Sequence, residues 1–147
     1  MAANKGTYVY LSSKYNSEVY KHNSIVSFSN QLSSFLRVSK NSRVALLESF
    51  IPMKTYFNVE RIFVHIDLVD DILFGDKNDT VVRIISTMDP NKLYDLHSIF
   101  PTPYYFPLKK QIIQKISVRL TDENGETLEL INPPRPEYNT VLLLHFT

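Results

Sequence analysis

The chain has 147 residues, 16 basic and 15 acidic side chains, a formal net charge of +1 and no cysteine. This length allows one domain with a sizeable core, which we expect to span residues 1–147. The balanced charge gives no long-range field toward nucleic acid or an anionic membrane, and the lack of cysteine excludes disulfides, thiolate metal sites and a cysteine nucleophile.

The N-terminal residues 1–6 contain no apolar segment of the kind that forms a signal peptide. No apolar run in the chain approaches the ~18 residues of a membrane span. We therefore expect synthesis in a reducing compartment without secretion. We interpret residues 1–6 as a flexible arm, and the part from Met1 to Lys5 as able to order on a neighbouring subunit.

The first quarter of the chain mixes clear and ambiguous segments. Thr7–Leu11 is aromatic and β-branched, which predicts a strand, and Glu18–Tyr20 predicts a second, short strand. Residues 25–38 fit two structures, because apolar residues recur at helical spacing while the first four residues also suit a strand. The serines lower helix propensity, so we interpret this segment as a strand followed by a loop, with a helix as the alternative.

The middle of the chain predicts three further strands. Arg43–Ile51 is almost continuously apolar, which indicates a central strand covered on both faces and ended by Pro52. In residues 60–70 apolar residues alternate with a second set that includes His65, so we expect one buried face and one face that is wet or covered by a partner. Residues 80–86 form the third run.

The last third of the chain predicts a short helix and then strands. Residues 91–100 have helical apolar spacing before Pro101, and three prolines keep residues 102–108 extended. Residues 112–121 and 126–131 alternate on either side of Asn124-Gly125, which is a strong hairpin signal. Val141–Phe146 predicts a final apolar strand that must be paired and buried.

These elements together define the expected fold class. About eight or nine short strands with at most one short helix indicate an all-β protein, a single antiparallel β-sandwich of the jelly-roll type.

No motif in the sequence indicates catalysis. His65 and Asp67 share a strand face and could contribute two metal ligands, but we favour a solvated face beside an acidic turn. We interpret His145 as a histidine at the edge of the core. The acidic residues 67–79 lack the spacing of a calcium loop. We expect no enzyme activity, no cofactor and no metal.

Five aromatic residues are our candidate contact residues for a protein partner. They are Tyr8, Tyr10, Tyr104, Tyr105 and Phe106. The last three could also stack on nucleic-acid bases, with Lys109-Lys110, Lys115 and Arg119 contacting the phosphates. The balanced charge makes nucleic acid an improbable partner, and packing at a corner of the sandwich is the plainer interpretation. If the aromatics are exposed, a protein interface is favoured.

The order of these landmarks resembles small structural proteins of Polinton and adintovirus-type DNA elements and their viral relatives. The landmarks are Phe28 to Leu32, Arg43–Glu48 with Pro52, Ile62–Leu68 followed by Gly75-Asp76, Tyr105–Leu108 with Ile116 and Leu120 to Gly125, and Val141–Phe146. They span residues 25–147. The resemblance implies a jelly-roll-like viral structural protein: a minor capsid, vertex (penton) or spike-base component.

That resemblance also implies partners and a location. The protein would contact itself, as a trimer or pentamer, and other capsid proteins. It would be made in the host cytoplasm or nucleus and reside in the virion. The chain is shorter than expected for a full vertex protein, which leaves open a cement protein or a domesticated remnant.

Two other classes of function stay open. The first is a monomeric recognition module that binds a peptide or glycan, for which Tyr56-Phe57-Asn58 and Glu60-Arg61 are the aromatic and polar candidates. The second is a metal-dependent enzyme, which requires His22, His65, His97 and His145 to converge.

Overall fold

The computed structural model describes residues 6–52, 59–74, 77–87, 95–129 and 138–147. Within these ranges there are eleven strands and no helix. They are β1 (Thr7–Ser12), β2 (Ser27–Arg37), β3 (Arg43–Ile51), β4 (Arg61–Ile66), β5 (Ile72–Phe74), β6 (Lys77–Asp79), β7 (Val81–Ser86), β8 (Leu96–Ile99), β9 (Phe106–Pro107), β10 (Ile112–Thr121) and β11 (Val141–Phe146). Over the same ranges no helix could cross a membrane.

Two antiparallel sheets form a sandwich. The first sheet has the order β1-β11-β3-β8, with β9 also paired to β3, and the second has the order β2-β10-β4-β7. The small hairpin β5-β6 lies between β4 and β7 in the chain. The chain crosses between the sheets from β1 to β4, continues from β4 to β7 within the second sheet, and crosses again to β8, β10 and β11, which is jelly-roll connectivity. The prediction of an all-β, antiparallel jelly-roll sandwich is confirmed.

The core lies between the two sheets because each strand alternates its side chains. The inward residues of β11 are Leu142, Leu144 and Phe146, and those of β10 include Ile116 and Leu120; all are at most 1% exposed. These two strands are central in their sheets, so their inward side chains meet core residues from both neighbours.

Four sequence-based assignments are wrong in the described residues. Glu18–Val19 lies in turns, and the amides of Val19 and Tyr20 both donate to the Asn16 carbonyl. Residues 27–37 are one strand, because pairing with β10 outweighs both the helical spacing and the serines. The expected helix at 91–100 contains strand β8, paired to β3; residues 91–94 lie outside the described residues.

The fourth concerns the predicted hairpin after β10. Its return strand, residues 126–131, reduces to one bridge between Thr121 and Thr127, with the Leu128 amide donating to the Leu120 carbonyl. Residues 130–131 lie outside the described part of the chain. The turn itself is present, and Gly125 has a φ of 82°, which glycine adopts without strain.

Two expectations for strand faces have different outcomes. β3 has the predicted bounds. On its outward face Ala45 is buried and Phe50 is half-buried, so the expected cover on both faces of β3 is present only in part. In β4 the second face is not wet: Phe63 and His65 are 5% and 3% exposed. The β4 side chains are covered because the turn after β10 and the end of β6 fold over them.

Candidate functional site: an edge strand and an apolar sheet face

The outward face of the first sheet is unusually apolar for a surface. We define the apolar face as Tyr8 and Tyr10 of β1, Val141 and Leu143 of β11, Phe50 of β3 and Ile99 of β8. Register pairs Tyr10 with Leu143, Val141 with Phe50, and Leu143 with Glu48, which in turn pairs with Ile99. Tyr8, Tyr10 and Ile99 are 59%, 60% and 66% exposed, so water contacts large apolar side chains on both edge strands of the sheet. Glu48, His97 and His145 are titratable side chains on this face.

The outward face of the second sheet is polar. We define the polar face as Ser27, Ser29, Gln31 and Ser33 of β2 with Lys115, Ser117 and Arg119 of β10. Register pairs Ser29 with Ser117 and Gln31 with Lys115, and the two serine hydroxyls are 2.7 Å apart. Three exposed apolar side chains of the second sheet, Phe35, Ile84 and Ile112, lie beyond this polar stretch. This face has the pattern that is usual for a solvated antiparallel sheet.

Strand β1 is an edge of the first sheet, and part of that edge is already capped. The Ser12 amide donates to Asn30 Oδ1 at 2.8 Å, and Asn30 Nδ2 donates to the Ser12 carbonyl at 2.9 Å. The buried amide of Asn30 thus makes the two bonds that a neighbouring strand would make. It also donates to the Tyr15 carbonyl at 3.0 Å, which ties β2 to the end of β1.

The same edge is open at Tyr10 and Tyr8. Backbone groups of alternate residues point to the same edge of a strand, so the amides and carbonyls of Tyr10 and Tyr8 point away from β11, as those of Ser12 do. Across the described ranges β1 pairs with no strand other than β11. This edge can therefore accept a further strand.

A groove runs beside the open edge, between β1 and β2. Its volume is about 610 Å³. Partly buried Leu32 and Leu36 of β2 lie along it, and Tyr15 and Phe35 at its rim are 51% and 59% exposed. An added chain would find backbone partners and apolar surface together there.

His145 organises the N-terminal end of the apolar face. The Tyr8 ring stacks on the imidazole with centroids 4.6 Å apart, and the Tyr105 hydroxyl lies 2.8 Å from Nδ1. Gly6 lies directly against the end of β11 beside His145, since a Cβ at residue 6 would lie 2.0 Å from the Phe146 carbonyl oxygen. The interpretation of His145 as an edge-of-core residue agrees with its half-buried position.

The five predicted contact residues do not form one patch. Tyr8 and Tyr105 meet around His145, and Tyr10 follows Tyr8 on the apolar face. Tyr104 is 54% exposed and instead lies against Arg83 of the second sheet. The central carbon of the Arg83 guanidinium is 4.0 Å from the centre of the Tyr104 ring. Phe106 pairs with Val44 and packs against the core.

Sequence reasoning missed Phe50, Ile99, Val141 and Leu143. The signal was present in Val141–Phe146, where four consecutive apolar residues occupy both faces of one strand. Ile99 was hidden by the predicted helix. The carboxylate of Glu48 and the imidazole of His97 form a 2.6 Å pair on this face, which sequence separation concealed.

The histidines have separate partners. His65 contacts Asp79 and Thr121, His97 contacts Glu48, and His145 contacts Tyr105. Within the described ranges no group of three or more histidine or acidic side chains is placed to hold a metal ion. The expectation that His65 lies on a solvated face is wrong. Asp67 accepts a bond from the Ser117 amide at 2.9 Å.

Comparisons with known proteins give one informative likeness. No protein-family model and no curated protein matches the sequence. The structure is similar to the crystal structure of the SeMet-labelled mavirus penton protein, with a TM-score of 0.64 and 10% sequence identity over 96% of this chain and 99% of that one. The chain has the fold of a penton protein. The resemblance to Polinton and adintovirus proteins remains a prediction.

Proposed function

We propose that the protein is a capsid-associated structural protein, a penton-like vertex component that acts as a homo-oligomer and resides in the virion. The observation that carries this proposal is the likeness to a penton protein over nearly the whole of both chains. Fold alone does not determine function, so the surface must supply the second argument.

The apolar face supplies that argument. Tyr8, Tyr10 and Ile99 are each more than half exposed, and a buried tyrosine removes ~150–250 Å² from water. Only about 60% of each side chain is still exposed, so at ~25 cal/mol per Å² each tyrosine can contribute at most ~2–4 kcal/mol to association, before the entropy of ordering is subtracted. The net charge of +1 opposes association between copies only weakly.

The area of the molecule allows contact with two neighbours. A standard interface covers ~800 Å² on each partner. Two such contacts would cover about a fifth of the 9048 Å² surface. In a closed ring each copy uses two different patches, and the open β1 edge with the apolar face can serve as one of them. We expect five copies, with other capsid proteins as further partners.

The oligomeric state tests this proposal. Light scattering on the purified chain across a hundredfold concentration range should give a closed oligomer, with a pentamer as the expected mass. A mass that stays monomeric at the highest concentration would contradict self-assembly. It would favour the monomeric recognition module, for which the groove beside β1 is the peptide site.

The glycan-binding alternative has less support. Its aromatic candidates Tyr56-Phe57-Asn58 lie outside the described residues. Arg61 is described, and its guanidinium lies 3.9 Å from the Glu123 carboxylate in an exposed ion pair. No observation in the described part of the chain favours a sugar ligand over a protein partner.

A further inference from the structure

His65 lies between a carboxylate and a hydroxyl. It is only 3% exposed. Its Nδ1 is 3.0 Å from Asp79 Oδ1 at the end of β6, and its Nε2 is 2.7 Å from the Thr121 hydroxyl at the end of β10. One side chain of β4 therefore contacts both the end of β6 and the end of the neighbouring strand β10.

The order carboxylate, imidazole, hydroxyl is also that of a hydrolytic triad. The Thr121 side chain is 0% exposed, however, so no substrate could reach its oxygen. A nucleophile must be accessible to the group that it attacks. The arrangement is therefore structural, and its chemistry is that of proton binding.

The hydrogen bonds determine how many protons the imidazole holds. Thr121 Oγ1 lies 3.0 Å from the Asp122 carbonyl, to which its single hydrogen can be donated. The hydroxyl then accepts from Nε2, while the carboxylate of Asp79 accepts from Nδ1. Both ring nitrogens carry hydrogen when all three bonds are made, which is the imidazolium form.

The neutral imidazole has a different set of bonds. Nδ1 keeps its hydrogen toward Asp79, and the Thr121 hydroxyl turns to donate to the bare Nε2. The Asp122 carbonyl then loses that donor and keeps the Gly125 amide, 3.1 Å away. Proton loss at His65 thus changes the bonding of the turn after β10.

The surrounding charges favour the imidazolium only in part. Burial by itself disfavours a charged histidine. Among the described residues, the titratable and charged groups near His65 include Asp79 from β6, Arg119 from β10, Asp122 and Glu123 from the turn, and Asp67, Lys109, Lys21 and His22 along the adjoining groove. From β7 the facing residue is Val81, which carries no charge.

Asp79 is the closest of these groups and responds to the imidazole. Burial raises the pKa of Asp79. The opposing effects are larger, so the pKa lies below its ordinary value: they are the hydrogen bond from the Thr80 amide, the charges of His65 and Arg119, and the hydrogen bond from His65. An ionised Asp79 in contact with Nδ1 favours the charged imidazole in return.

We propose that His65 is a proton-operated switch for the turn after β10. When His65 is protonated, the Thr121 hydroxyl donates to the Asp122 carbonyl; when His65 is neutral, that hydroxyl donates to Nε2 and releases the Asp122 carbonyl, while the bond to Asp79 is kept in both states. The free energy of folding contributed by the protonated imidazole is fully present below the pH at which histidine titrates in the unfolded chain. It is lost as pH rises through the titration of folded His65. This device is independent of the proposed capsid role.

The test is a pH titration of the histidine ring nitrogens by ¹⁵N NMR on the full chain, with the urea-unfolded chain as reference. Both nitrogens of His65 should be protonated at pH 6 and should stay so at a pH above the midpoint of the unfolded reference. The amide of Gly125 should shift with the same midpoint. A bare ring nitrogen in His65 at pH 5–6, or a midpoint equal to the unfolded one, would overturn the proposal.

Two variants separate the switch from mere packing. Thr121→Val keeps the shape but removes the hydroxyl, so the Gly125 amide should no longer follow the His65 titration. Asp79→Asn keeps the hydrogen-bond acceptor but removes the charge, so the midpoint of His65 should fall. If Thr121→Val does not fold, the Asp79→Asn midpoint decides, and an unchanged midpoint counts against the switch.

Discussion

The two outward faces of this sandwich differ although the same pleated geometry builds both. The polar face carries serine, glutamine, lysine and arginine side chains that point away from the buried core, where water can hydrogen-bond to them. The apolar face carries tyrosine, isoleucine, leucine and valine, so its strands present apolar side chains on both sides. A strand that is apolar on both sides is typical of a sheet covered on both sides. Under the proposed function, the apolar face is the side of the molecule that we expect to receive a partner.

The largest expected effect is on assembly. Tyr10→Lys places a charge in the middle of the apolar face, and we expect the dissociation constant of the oligomer to rise ~100-fold or more, about 2.7 kcal/mol. The matched control is Ile112→Lys in the second sheet, at a residue 52% exposed, for which no change is expected. Sedimentation velocity measures both. Equal weakening by the two variants would remove the distinction between the faces.

A smaller effect is expected at the cap of the β1 edge. Asn30 is 3% exposed and bonds the Ser12 amide and carbonyl. Asn30→Ala leaves these buried groups without partners, and the free energy of unfolding should fall by ~2–3 kcal/mol. Its exposed neighbour Gln31→Ala should cost less than ~0.5 kcal/mol in the same urea denaturation series. A cost below 1 kcal/mol for Asn30→Ala would show that Asn30 does not hold the edge.

The covered part of the second sheet should show a pH dependence. Because the pKa of Asp79 is lowered, its stabilisation is present above the ordinary aspartate value and is lost as pH falls through the folded value. We expect Asp79→Asn to cost ~1–2 kcal/mol at pH 6 and less at pH 2.5, which lies below the ordinary aspartate pKa. Urea denaturation at both pH values measures this. The same cost at both would contradict an ionised Asp79.

The smallest expected effect is at the end of the apolar face. Tyr105→Phe removes the hydroxyl that lies 2.8 Å from His145 Nδ1 and keeps the ring. The free energy of unfolding should fall by ~0.5–1.5 kcal/mol. Tyr104→Phe is the control, since Tyr104 contacts Arg83 through its ring face. A loss for Tyr104→Phe as large as that for Tyr105→Phe would show that the bond to His145 is not the cause.

Strand alternation made most of the fold predictable from sequence. Alternation predicted the strand at 112–121, and nearly continuous apolar runs predicted those at 43–51 and 141–146; all three ranges agree with the strands found there. The structure of residues 27–37 and 96–99 differs from the prediction, since it depends on pairing with β10 and β3, which are distant in the chain. Long-range pairing outweighs local spacing in both cases.

The candidate site was predictable only in part. Tyr8 and Tyr10 followed from an aromatic strand near the start of the chain. The bonds of Asn30 to Ser12, of Tyr105 to His145 and of Glu48 to His97 join residues 18, 40 and 49 positions apart. Nothing in the local sequence marks such pairs, so the edge cap and the organisation of the apolar face required the structure.

Hydrogen exchange of the backbone amides at two protein concentrations tests the central claim most directly. If the first sheet receives the partner, the amides of Tyr8 and Tyr10 should exchange fast in the dilute monomer and become protected at the concentration where the oligomer forms. Residues of the polar face, such as Ser29 and Lys115, should not change. Unchanged exchange at Tyr8 and Tyr10 with new protection on the polar face would contradict the account.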